Sequence, residues 1–254
     1  MLAIILLSSQ GISPQTKTHE LPVIDISKKY PSKKVILQDI AEMEHIRLET
    51  TDDVLMSGVA PDGDVSILAA ITDRYIVTYE LRRGEIFIFN RKGEIVSHFN
   101  HKGPSDQEYF NITSGVIFDE KNEEIFVCNN RNIQVYSLNG KYKRTLKFAN
   151  LKYEIYNFDD ETLLVYDEVD ILSSNAPKKN PYRLISKEDG NTVVVFDISL
   201  PKRYSMEILY DKWILTTSLS NNRYYGKDFV ITDISSDTMY LNNNIKKDEN
   251  CFTY

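Results

Sequence analysis

The 254 residues carry 30 lysines and arginines against 37 aspartates and glutamates, a formal net charge of −7, and 42% of them are apolar. That is enough apolar material for a globular core, and the acidic balance excludes nucleic acid as the expected partner, because a phosphate-binding face leaves a basic excess. Two cysteines, Cys128 and Cys251, are too few for a disulfide framework and too far apart for a zinc site.

In chain order, Met1 to Leu7 is apolar and is followed by Ser8, Ser9 and Gly11, which is the tail of a secretory signal pattern. So short a run cannot cross a bilayer, which takes about 20 residues, and no later stretch is long enough either. Residues 1–20 are therefore read as the remnant of an export segment with a linker, and residues 21–254 as one β domain. Leu37 to Arg47 fits a helix or an extended entry to that domain equally well.

Beyond this point the sequence consists of short apolar runs separated by turn residues, with no sustained helical period. The expected strands are Tyr75 to Leu81, Glu85 to Phe89, Glu94 to Phe99, Glu124 to Cys128, Ile133 to Leu138, Lys141 to Phe148, Thr162 to Tyr166, Thr192 to Ile198, Lys212 to Leu215, Phe229 to Ile234 and Thr238 to Leu241. Cys128, inside such a run, reads as a small buried thiol. Sharp reversals need residues that reach positive φ, and four mark a period: Gly93, then Gly140 47 residues on, Gly190 after 50 more and Asp237 after a further 47. A unit of several strands at that interval, without helices, has the size of a propeller blade. Ile86 to Phe89, Leu163 to Tyr166 and Val193 to Phe196 are apolar on both faces, which fits blade strands covered on both sides by neighbouring blades. A β-sandwich is the competing arrangement for many short strands, and the period favours the propeller.

Leu37-Gln38-Asp39-Ile40-Ala41-Glu42 followed by Ile46-Arg47-Leu48-Glu49-Thr50, His101-Lys102-Gly103 with Glu108-Tyr109, Ile133-Gln134-Val135-Tyr136 with Asn139-Gly140-Lys141, and Pro181 to Lys187 leading to Asp189-Gly190 together resemble the bacterial six-bladed β-propeller family, with cores similar to NHL repeats. The resemblance implies an all-β propeller of four-stranded antiparallel blades in an exported protein or lipoprotein, located in the periplasm, at the outer membrane surface or outside the cell. It carries over no catalytic residue. Three departures stand out: Ser105 and Asp106 replace an expected glycine and proline, no cysteine precedes Cys128 to carry a lipid, and the length holds about four units where six are implied. An incomplete ring, lacking its C-terminal blades, is therefore expected, with association through an uncovered blade; a complete four-bladed ring is the alternative.

Few residues offer chemistry. His98 and His101 have the spacing of metal ligands but no third partner nearby. Asp159-Asp160-Glu161, and Asp167, Glu168 and Asp170, match no calcium loop and read as solvated turns. Asp62-Gly63-Asp64 after Pro61 is a turn, and no phosphate loop, nucleophile elbow or zinc helix is present. No catalytic residue, metal ligand or cofactor is assigned. Aromatic residues near loops can stack on a sugar or peptide, and the polar stretch Ser173 to Asn180 is a candidate contact loop. The residues carried forward as ligand contacts are Tyr109, Lys178, Lys179, Tyr182, Tyr224 and Tyr225. The expected function is non-enzymatic binding or scaffolding of a protein, peptide or glycan at the cell envelope; the alternative is a propeller hydrolase or lyase acting on polysaccharide or peptide, with carboxylates from different blades converging.

Overall fold

The computed structural model describes residues 27–52, 54–57, 65–129, 132–147, 153–167, 178–200, 207–210, 213–216, 223–225, 228–231, 238–242 and 251–253. The chain divides into two compact units, 1–47 and 48–254. In the first, Leu37–Asp39 makes one turn of 3-10 helix and Ile40 to Arg47 has no regular element. The second is all β.

Its first sheet is an antiparallel meander of β1 (Ser66–Ile71), β2 (Tyr75–Glu80), β3 (Ile86–Asn90) and β4 (Ile95–Phe99). The second repeats the order with β5 (Gly115–Asp119), β6 (Glu124–Cys128), β7 (Asn132–Ser137) and β8 (Tyr142–Lys147). In the third, β9 (Tyr153–Asn157) and β10 (Thr162–Asp167) are followed by a short insertion strand β11 (Lys178–Lys179), and then by β12 (Tyr182–Ser186) and β13 (Thr192–Val195). The insertion pairs with β14 (Ser199–Leu200). A hairpin of β15 (Glu207–Tyr210) and β16 (Trp213–Thr216) comes next, then a four-stranded sheet of β17 (Arg223–Tyr225), β18 (Asp228–Ile231), β19 (Thr238–Asn242) and β20 (Cys251–Thr253).

The turn between the third and fourth strands recurs at Gly93, Gly140 and Gly190, where φ is +87°, +78° and +81°. These are the residues that marked the period in the sequence; Asp237 lies outside the described residues. Gly140 is needed twice over, since a Cβ there would also lie 2.6 Å from the Phe99 ring.

Side chains alternate across each sheet, so the middle strands feed two cores. Val77, Tyr79, Ile86 and Ile88 of the first sheet pack against Val116, Phe118, Ile125 and Val127 of the second. The alternate residues of the second sheet, Phe126, Cys128, Ile133 and Val135, pack against Leu163, Val165 and Ile185 of the third. Leu164, Tyr166, Tyr182 and Leu184 then form a third core with Phe196, Ile198 and Ile231. At roughly 1.5–3 kcal/mol for each large apolar side chain withdrawn from water, this face-to-face stacking is the main source of cohesion. Strand β1 lies beside β5, and β5 beside β9. First strands converge, as they must when successive sheets radiate as blades from a common axis.

Two readings from sequence change. Val193, Val194 and Val195 are not covered on both sides: they sit in β13, the outer edge of the third sheet, and all are exposed. Their apolar run comes from an edge strand whose pairing with β12 slips at Leu184/Ile185, so burial on two faces does not follow. The first strands β1, β5 and β9 were not expected. Ala69, Ala70, Gly115, Glu154 and Asn157 dilute their apolar signal, and no residue of β1 is fully buried.

Candidate interaction face

The loop from Asn100 to Ile112 joins β4 to β5. Its tip closes on itself: the Glu108 N–H donates to the Ser105 carbonyl (3.0 Å), and the Ser105 N–H donates to Glu108 Oε2 (2.9 Å). This pins the Glu108 carboxylate against Gly103, where a Cβ would collide with it. The hydrogen bonds hold the Glu108 pKa below the ordinary range. At the base, the Tyr109 N–H donates to the His101 carbonyl and the Gly103 N–H to the Tyr109 carbonyl, each at 3.1 Å.

Tyr109 is the anchor. Its ring is fully buried, its hydroxyl donates to the Gly84 carbonyl (2.6 Å), and it accepts from the His101 N–H (2.9 Å). Burial pushes its phenol pKa well up, so it stays protonated and keeps donating. Tyr136 meets it edge-on at 5.9 Å and donates to the Gln107 carbonyl at 2.7 Å. His101 stacks on Tyr136, with centroids 5.1 Å apart, and its Nε2 donates to the Gly140 carbonyl at 2.7 Å. His98 lies elsewhere, stacked on Phe87 at 4.9 Å and donating through Nε2 to Glu85 (2.5 Å). Each imidazole is held by an aromatic face and a separate acceptor, and among the described residues no three His, Cys, Asp or Glu side chains come together around a point.

The neighbouring turn 81–84 is tied to the same loop. Lys102 Nζ donates to the Arg82 carbonyl, and Asn100 Nδ2 to the Arg83 carbonyl (3.1 Å). With the backbone fixed, the outward side chains are those of Leu81, Arg82, Arg83, Lys102, Asp106, Gln107 and Phe110. Phe110 is 75% exposed, beside a tyrosine that is wholly buried. The ring is thus presented on a loop whose backbone is tied by hydrogen bonds at its tip and its base.

The other end of the sheets carries charge. Arg144 forks onto Glu124 (2.7 and 2.6 Å) and donates to the Lys187 carbonyl (3.0 and 2.7 Å), while Lys143 also pairs with Glu124. Lys187, 4% exposed, places its ammonium 2.5 Å from Asp119 and 2.6 Å from the Asp159 carbonyl. Both cations lie 5.9 Å from the Phe126 ring. Arg74 pairs with Glu120 and Glu123 (3.3 and 3.0 Å), and Lys121 with Asp160. Asp159 also accepts from the backbone of Glu161 and Thr162, which makes it the turn residue read from the sequence. These groups satisfy one another and clamp successive sheets. No spacing in the sequence points to them; the only trace is charge at the ends of apolar runs.

Of the residues expected to contact a ligand, Tyr109 and Tyr182 are both fully buried and face packing partners, with Tyr182 4.8 Å from Tyr166. Lys178 and Lys179 form β11, and Tyr224 and Tyr225 pair with Phe229 and Asp228; the side chains of these four lie outside the described residues. Sequence reasoning missed Phe110, whose only signal is its place directly after the Glu-Tyr anchor. Asp62 to Asp64, Glu168, Asp170 and Ser173 to Pro177 lie outside the described residues.

A family model described as 6-bladed beta-propeller (DUF5128) matches residues 13–240, and the chain belongs to that family. The fold is similar to a presumed exported protein of Bacteroides fragilis, at 13% identity and a TM-score of 0.55 over 82% of this chain and 54% of the other. A member of the DUF4221 family from Bacteroides vulgatus is similar at 12% identity and 0.50, over 75% of this chain and 57% of the other. The chain thus spans little more than half the length of these two structures. The comparison with curated proteins found no match.

Proposed function

We propose that this chain is an exported recognition module whose loop 100–112, with turn 81–84, binds a protein, peptide or glycan outside the cytoplasm. The carrying observation is Phe110: a ring 75% exposed on a loop that Tyr109, Tyr136, His101 and Glu108 hold rigid. Rigid aromatic anchors dominate binding energy where they enter a partner's pocket or stack on a sugar. Support for export comes from the apolar stretch Met1 to Leu7 and from the similarity in fold to the presumed exported protein of Bacteroides fragilis.

The intact protein, screened against immobilised glycans and a peptide library, is expected to retain at least one of them, and Phe110→Ala is expected to weaken that binding about tenfold or more with unchanged thermal unfolding. Retention of nothing, or equal binding by the variant, would count against the proposal.

A further inference from the structure

The outer strands of the first three sheets can be compared residue by residue. Six residues after the turn glycines Gly93, Gly140 and Gly190 stand Phe99, Leu146 and Phe196, all buried. Phe99 packs against Gly140 and Leu146 against Gly190, so each closes its sheet onto the next. The three residues before them differ. In β4 they are Val96, Ser97 and His98, with Ser97 Oγ donating to the Leu138 carbonyl (2.5 Å) and His98 paired with Glu85. In β8 they are Lys143, Arg144 and Thr145, with both cations on Glu124 and Arg144 also on the Lys187 carbonyl. In β13 they are Val193, Val194 and Val195, exposed by 57%, 37% and 52%.

Side chains alternate along a strand, so three consecutive exposed valines are bare on both faces of the sheet. Among the described residues β13 has one neighbour, β12. The Phe196 N–H donates to the Tyr182 carbonyl at 3.0 Å, and alternation along the ladder then turns the N–H and carbonyl of Val195 away from β12. Such an edge is ordinarily blunted by a charge or a proline. Lysine and arginine do this on β8; Thr192–Val195 carries neither.

We propose that β13 is the pairing edge of a homodimer, taken up by β13 of a second copy in antiparallel register about a two-fold axis through Val194. The strand fits itself. Val193 of one copy faces Val195 of the other, Val194 faces its own counterpart, and Thr192 faces Phe196. One pair further out, Asn191 meets Asp197, so no like charges oppose each other. The same operation on β8 would set Arg144 against its own copy. An isologous contact of this kind closes at two copies. A pairing of four residues buries less than a standard interface, so the dimer is weak and depends on concentration. It does not depend on the Phe110 face.

Sedimentation equilibrium of the intact protein from about 1 μM to about 1 mM is expected to show monomers passing into dimers. Val193→Lys with Val195→Lys sets lysine against lysine on two rungs and is expected to raise the dissociation constant about tenfold or more. Val193→Lys with Val195→Glu sets lysine against glutamate on the same rungs and should restore most of the loss. Hydrogen exchange on the wild type needs no variant, and the Val195 amide should exchange more slowly as concentration rises. A monomer throughout the range, a dimer that the two lysines leave intact, equal weakening by both double variants, or a Val195 amide indifferent to concentration would each overturn the proposal. So would a monomer that captures an unrelated β-strand peptide, which would give the edge to another kind of partner.

Discussion

Gly140 and Gly103 lack a side chain for different reasons, and substitution separates them. At Gly140 the backbone is left-handed and a Cβ would press into the Phe99 ring, so Gly140→Ala is expected to lose about 2–4 kcal/mol in denaturant unfolding from strain and overpacking together. At Gly103 the obstacle is only the end of the Glu108 side chain, and pairing Gly103→Ala with Glu108→Ala should recover most of whatever the first change costs. Gly140 was legible in the sequence because a turn at positive φ is a local demand. The Glu108 carboxylate over Gly103 was not, because it depends on how the loop closes. Cys128 is a further residue whose character could be read early: burial pushes its thiol up to about 12, and it is expected to resist thiol reagents at neutral pH until the protein unfolds. Glu124 works in the opposite direction. Desolvation favours its protonated form, but the hydrogen bonds and charges of Arg144 and Lys143 outweigh it, and the pKa falls. Its contribution is therefore complete above the ordinary glutamate value of about 4.3 and is lost as pH drops through the lowered folded value. Stability measured against pH should fall more gently below about 4.3 in Glu124→Gln than in the wild type.

Elements are held together by two devices of unequal legibility. The apolar stacking of β3 against β6 and of β7 against β10 followed from runs such as Ile86 to Phe89 and Leu163 to Tyr166, whose burial on both faces the structure reproduces. The polar clamp between the second and third sheets did not, since Asp119, Glu124, Arg144 and Lys187 meet only after three separate hairpins are stacked. Removing one side of a buried pair leaves the other uncompensated, and Lys187→Met is expected to cost about 3–5 kcal/mol. The double variant with Asp119→Asn should cost less than the two single changes added together, which a double-mutant cycle in urea measures. Edge strand β13 has the reverse problem, apolar side chains with nothing over them. Val193→Lys is expected to reduce concentration-dependent association while moving stability by no more than about 0.5 kcal/mol. Sedimentation at several concentrations checks it, and unchanged association would show that this edge is not where copies meet.

At the scale of the molecule, the blade period was visible because each unit repeats one glycine turn at nearly constant spacing, and Gly93, Gly140 and Gly190 hold the same φ in the structure. The strands nearest the axis were hidden because Ala69, Ala70, Gly115, Glu154 and Asn157 interrupt their apolar runs. The proposed interaction face was hidden for another reason: exposure such as that of Phe110 is decided by which way a loop turns, and Tyr109 beside it is a buried packing anchor. Successive sheets radiate from an axis, with β1 beside β5 and β5 beside β9. A crystal structure of the intact protein tests this most directly. The expected result is four-stranded modules stacked face to face around a common axis, first strands innermost; two sheets facing each other across a single core would contradict it.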